Sequence, residues 1–149
     1  MVAAILTAYY VVPWDGGPVA SVLPRVLVVL AALVVVIAVS IRYVVHSEYP
    51  MLTVFHALAA VIGFALVSFA SVYDLISYDN AAAFNESLSR TDALYFALTT
   101  MTTIGYGDVH ARTEGARIVV MVQMVVDVVV IGVAVRALIQ VAQRRVDDE

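Results

Sequence analysis

Three long apolar runs, separated by short polar or proline-bearing connections, dominate the chain. They lie at about Val22–Val45, Met51–Ile76 and Ala116–Val141. A hydrocarbon core about 30 Å thick is crossed by roughly 20 apolar residues in a helix, so each run predicts a transmembrane helix. Pro24 and Arg25 sit at the start of the first run and Ser40 and Arg42 near its end, where the long Arg side chains can snorkel to an interface. Only His46-Ser47-Glu48-Tyr49 and then Pro50 separate the first run from the second, which predicts an antiparallel helical hairpin. The third run ends in a short polar tail, residues 143–149. At the other end, Met1–Val12 is apolar but stops at Pro13-Trp14-Asp15-Gly16-Gly17-Pro18, too soon to span. Residues 1–21 therefore read as a short N-terminal segment and loop. The apolar part is either interfacial or the end of a fourth span that begins upstream of Met1.

Between the second and third runs, polar residues from Asp74 to Asp92 lead into Ala93-Leu94-Tyr95-Phe96-Ala97-Leu98-Thr99-Thr100-Met101-Thr102. About three helical turns cannot cross a bilayer, yet the stretch is too apolar for an exposed loop. A re-entrant helix that enters partway and returns is the expectation. Irregular backbone at membrane depth is tolerated only when buried or lining a watery cavity, so the residues after this helix are expected to line a pore.

Composition agrees with a bilayer setting. Hydrophobic residues make up 63% of the chain and the mean hydropathy is +0.98, against an apolar share of about 45–50% in soluble domains. The eight basic residues, all Arg, are outnumbered by twelve acids, so no nucleic-acid partner is expected. The absence of cysteine excludes a disulfide framework and a thiolate metal site. Without positive charges, the N-terminus does not read as a removable secretory signal.

The segment Thr102-Thr103-Ile104-Gly105-Tyr106-Gly107-Asp108 resembles the selectivity-filter signature of the potassium channel family, which selects by rings of backbone carbonyls. To strip water from a cation, consecutive carbonyls of one strand must face the same axis, which requires alternating backbone handedness. Gly105 and Gly107, at alternate positions, permit that twist. The resemblance implies that Thr103, Ile104, Gly105, Tyr106 and Gly107 form the filter. K+ would be held by Thr103, Ile104, Gly105 and Tyr106, with the Thr103 hydroxyl as innermost ligand. Tyr95, Phe96, Thr102 and Asp108 would support it: Tyr106 would pack against Tyr95 and Phe96, and Asp108 would cap the outer mouth. The threonine-rich C-terminal end of the short helix would present its dipole to a cation.

The resemblance runs over roughly Asp92 to Val141, about a third of the chain, and aligns without gaps to the two-span bacterial type of channel, with Arg117 and Gly132 on matching positions. It implies an all-α integral membrane protein: a peripheral transmembrane helix at 22–46 and a pore domain at 51–142. The pore domain comprises an outer helix at 51–76, a pore helix at 92–102, the filter at 103–108 and an inner helix at 116–142. With one such loop per chain and a filter that needs four, the expected assembly is a homotetramer with the pore on its axis. The expected function is passive, K+-selective transport, with no enzymatic step and no organic cofactor. Two alternatives are a weakly selective cation channel and a non-conducting, partner-dependent subunit. Tyr106 argues against the first, because less selective filters commonly carry a smaller or acidic residue there.

Several positions depart from the family pattern. Thr99 replaces a common Glu, Ala111 a common Pro, and Asp127 a frequent hinge glycine, for which Gly132 could substitute. An acid within a transmembrane helix is costly, and Gln123 lies one turn before Asp127 on the same face. Gln123, Asp127 and Gly132 are therefore candidates for a cavity or gating role. Asp127 either rings the cavity below the filter or bonds to pore-helix hydroxyls such as Thr99 or Thr102. Arg136 is expected at a helix interface or the cytoplasmic boundary, His110 in solvent near the outer mouth, and His56 as a buried hydrogen-bonding residue. Only Arg25 and Arg42 lie in the first run, too few for a voltage sensor. The gate is then expected in the filter, at the inner-helix crossing or in an unknown regulatory partner. Counting Arg on each side leaves the positive-inside rule tied. A cytoplasmic C-terminus in the cell membrane follows from the resemblance, which places Asp74, Asp79, Glu86, Asp92, Asp108 and Glu114 around the outer mouth.

Overall fold

A computed structural model of the chain describes residues 7, 9–10, 22–45 and 50–147. Among the described residues, four helices with given bounds follow one another: α1 (Val22–Val45), α2 (Pro50–Asp79), α3 (Arg90–Met101) and α4 (Glu114–Asp147). Thr7, Tyr9 and Tyr10 are also helical. Most of Met1–Val12, the Pro13–Pro18 stop, the 46–49 connection and the last two residues lie outside the described residues. Among the described residues the only extended pairing is an isolated antiparallel bridge between Phe84 and Ala111.

The helix ends follow local chemistry. Pro50 opens α2, where its missing N–H costs nothing because that donor has no intrahelical partner anyway. α2 runs three residues past the expected Ile76. Asn80 follows its last residue, Asp79; the Asn80 backbone N–H still donates to Ile76 O (3.0 Å) while its side chain accepts from Ala82 N (3.0 Å). α3 begins two residues earlier than expected because Ser89 is a true N-cap: Ser89 Oγ accepts from Asp92 N, and the Asp92 carboxylate accepts from Ser89 N. These bonds to Ser89 hold the Asp92 carboxyl below its ordinary range. Thr113 starts α4 by accepting from Arg117 N at its carbonyl (3.0 Å), with Glu114 suiting the helix dipole. α4 continues through much of the expected polar tail, to Asp147.

α1 packs on α2, and α2 also contacts α3 and α4. Where α2, α3 and the 80–89 loop meet, Tyr73, Phe84 and Phe96 form a mutual edge-to-face triad with centroids 5.0 to 5.9 Å apart. α4 buries Ala116, Val119, Val120, Gln123, Asp127 and Val130 in a single stripe at helical spacing, the first three closing this core and Val130 joining a second cluster with Val61, Ala65 and Met101. Its other faces stay apolar and open, with Val125 65% and Val128 71% exposed. Two helical stretches among the described residues are long and apolar enough to cross a membrane, Thr53–Asp79 and Glu114–Arg136. The short α3 lies between them in sequence and hands the chain to the site.

Candidate functional site, the loop after the short helix

α3 ends in a cluster of threonines that bond back onto their own helix. Thr99 and Thr100 donate to Phe96 O, and Thr102 donates to Leu98 O. Thr102 takes a right-handed C-cap conformation (φ −80°). The chain then alternates: Thr103 has φ +59°, Gly105 +52° and Gly107 +81°, while Ile104 and Tyr106 keep negative φ. The turn hangs from the helix end, with Ile104 N and Gly105 N both donating to Thr99 O (3.1 and 3.2 Å). Alternating backbone handedness of this kind is what a row of carbonyls facing one side requires. A Cβ at Gly105 or Gly107 would meet nothing of the same chain within 4 Å, so backbone conformation and not space calls for glycine there. Thr103 holds a left-handed backbone without that freedom, at a cost of about 1–3 kcal/mol that the surrounding bonds must offset.

Outside this strand the supports divide. Tyr106 lies flat on Tyr95, with rings 6.4 Å apart and 3° from parallel. Tyr95 OH donates to Asp108 Oδ2 (2.7 Å), and Asp108 Oδ1 accepts from Val109 N (2.9 Å). That shared bond pushes the Tyr95 phenol up to about 12 and holds the Asp108 carboxyl down. Phe96, expected beside Tyr106, instead turns into the core against Tyr73 and Phe84. Its effect on the loop is through α3. Sequence reasoning missed Asn85, which clamps the outer end: its Nδ2 donates to Asp108 O (2.6 Å) and its Oδ1 accepts from His110 N (2.8 Å). An Asn in a polar loop carries no periodic signal, so only the folded contact identifies it. His110 meets this clamp through its backbone, and Arg117 Nε donates to Ala111 O (3.2 Å).

Behind α3 lies a buried polar chain. Tyr73 OH donates to Gln123 Oε1, and Gln123 Nε2 donates to Ala97 O (2.9 Å) and Asp127 Oδ2 (3.1 Å). Gln123 is fully buried and Asp127 nearly so, with Asp127 Oδ1 lacking a partner among the described residues. Asp127 is thus held by its own helix neighbour, and the pore-helix threonines bond elsewhere. Gly132 lies on an exposed part of α4, and Arg136 and His56 are exposed as well. Among the described residues no group of three His, Cys, Asp or Glu side chains could hold a metal ion.

Residues 51–144, more than half of the chain, match the family model described as "Ion channel". The chain belongs to the ion channel family. It is also 43% identical over 53 residues to the potassium channel GORK of Arabidopsis thaliana, an alignment covering 36% of this chain and 6% of that relative. The chain thus spans a small fraction of the relative's length. No solved structure matches.

Proposed function

We propose that this chain is one subunit of a homotetrameric, K+-selective channel of the cell membrane, with Thr103-Ile104-Gly105-Tyr106-Gly107 as its filter. The observation that carries this is the alternating sign of φ from Thr102 to Gly107, which supports a one-sided row of carbonyl oxygens. Thr103, Ile104, Gly105 and Tyr106 supply the successive oxygens for K+, and transport is passive, with no organic cofactor. A tetramer is supported by exposure: every residue from Thr102 to Asp108 is exposed in one chain, and irregular backbone at membrane depth must be buried in protein or line water. Partner copies would cover the apolar face of α4 and place four loops around one axis. α1 would be a third, peripheral span in contact with lipid, and the C-terminus would lie in the cytoplasm. Burial of Gln123 and Asp127 behind α3 within the single chain favours a packing role for both over a place on the cavity wall, with Gly132 the point at which α4 could bend.

Flux into liposomes holding the purified protein tests this reading, comparing K+ with Na+ and the native chain with Tyr106→Asp. Strong K+ uptake over Na+, erased by the substitution, is expected. Equal passage of both ions would favour a weakly selective cation channel. Passage of neither in folded tetramers would favour a partner-dependent, non-conducting subunit.

A further inference from the structure

The start of the pore helix is tied to residues some 80 positions away, a connection the channel mechanism does not require. Tyr9 is 1% exposed and joins the same core as Phe69 and Tyr73. Its hydroxyl donates to Arg90 O, the first residue of α3 (2.8 Å). Arg90 Nη1 answers by donating to Tyr9 O (3.2 Å) and Tyr10 O (3.0 Å), the kind of contact by which Arg side chains satisfy helical carbonyls. Tyr10 OH and Thr91 Oγ1 share a further bond (3.2 Å), and Arg90 Nε lies 3.7 Å from Asp74 Oδ2 of α2. One guanidinium therefore joins the N-terminal segment, the outer helix and the pore helix.

This junction has a side. α2 ends at Asp79 and α3 starts at Arg90, and the loop between them bonds to the segment that leads into α4 at Glu114, through the Phe84–Ala111 bridge and the Asn85 contacts to Asp108 O and His110 N, so all three termini lie on the face where the filter loop emerges. Because Tyr9 and Tyr10 touch Arg90, they lie on that face too, and α1 must start there and run to the opposite face, where α2 begins. We infer that Tyr9, Tyr10 and Arg90 form an outer-face clamp by which the N-terminal segment holds the pore helix in place. Tyr9 is well suited to it: burial pushes its phenol up, so the hydroxyl stays a neutral donor. The face is defined by the proposed filter mouth, but the contacts themselves do not depend on conduction.

Two measurements on the full chain test the clamp. Because the chain has no cysteine, Tyr10→Cys, His110→Cys and Arg144→Cys each provide a unique label site. A membrane-impermeant maleimide is expected to reach positions 10 and 110 from one face and position 144 only from the other. Labelling of position 10 from the face of position 144 would overturn the placement. Hydrogen–deuterium exchange of residues 90–101 then reads the hold itself. Tyr9→Phe removes one hydrogen bond and should speed exchange there roughly fivefold, Arg90→Ala should do more, and the exposed-site control Tyr78→Phe should do nothing. Unchanged pore-helix exchange in both Tyr9→Phe and Arg90→Ala would overturn the clamp. A protein that conducts nothing yet gives both expected results would sink the channel reading and leave the clamp standing.

Discussion

At Gly105 the backbone sits at φ +52° in otherwise open space, so stereochemistry alone opposes a side chain there. An L-alanine in this region costs about 1–2 kcal/mol per chain. Gly105→Ala is expected to abolish K+ flux, whereas D-alanine introduced by semisynthesis, which prefers positive φ, should preserve most of it. Equal loss with both enantiomers would show that space in the assembly, and not handedness, sets the requirement. The Tyr95–Asp108 bond makes a second residue-scale prediction. The folded-state value of Asp108 is depressed, so the bond is fully present above the ordinary carboxylate range and is lost as pH falls through the depressed value. Tyr95 is raised to about 12, so the bond persists below the ordinary phenol value and fails as pH rises through about 12. Stability of the folded protein followed against pH should fall at both limits, and Tyr95→Phe should flatten both edges.

At the scale of elements, two devices hold α3 at a fixed height. Its N-terminus carries the Ser89–Asp92 capping box, and Ser89→Ala should cost about 1 kcal/mol, read from chemical denaturation. Toward its C-terminal end it leans on Gln123, which takes the Tyr73 hydroxyl and gives its amide to Ala97 O and Asp127. Gln123→Leu strands the Tyr73 hydroxyl and an Asp127 oxygen, so about 1–3 kcal/mol of stability should be lost, lowering the thermal midpoint of the assembly. Asp127→Asn keeps an acceptor for the Gln123 amide and should be much milder. If the two substitutions were equally damaging, the carboxylate itself would be the essential group. Apolar run lengths exposed the helices to sequence reading, because a bilayer imposes one span length on any chain. The short helix and the left-handed turn after it were legible for a related reason: an apolar stretch too short to span, followed by glycines at alternate positions, has few backbone solutions. What stayed hidden was the side-chain wiring. Nothing in the sequence spacing links Asn85 to Asp108, Tyr73 to Gln123 or Tyr9 to Arg90, since each pair is 23 or more residues apart. Phe96 was expected beside Tyr106 because it neighbours Tyr95, but successive helical residues point about 100° apart and only one can face the loop.

For the whole molecule, besides apolar positions along α1, the single chain leaves exposed the loop from Thr102 to Asp108 and the apolar side of α4. Both are completed by the same event if four copies close a ring, which links assembly to ion selection. On the proposed reading K+ is held by backbone carbonyls of this strand. Isotope-edited infrared spectroscopy, with 13C placed at the Gly105 carbonyl of the reconstituted protein, tests it most directly. Titration with K+ should shift that band saturably while Na+ at the same concentrations leaves it in place. A band indifferent to both ions, or shifted equally by them, would contradict the account.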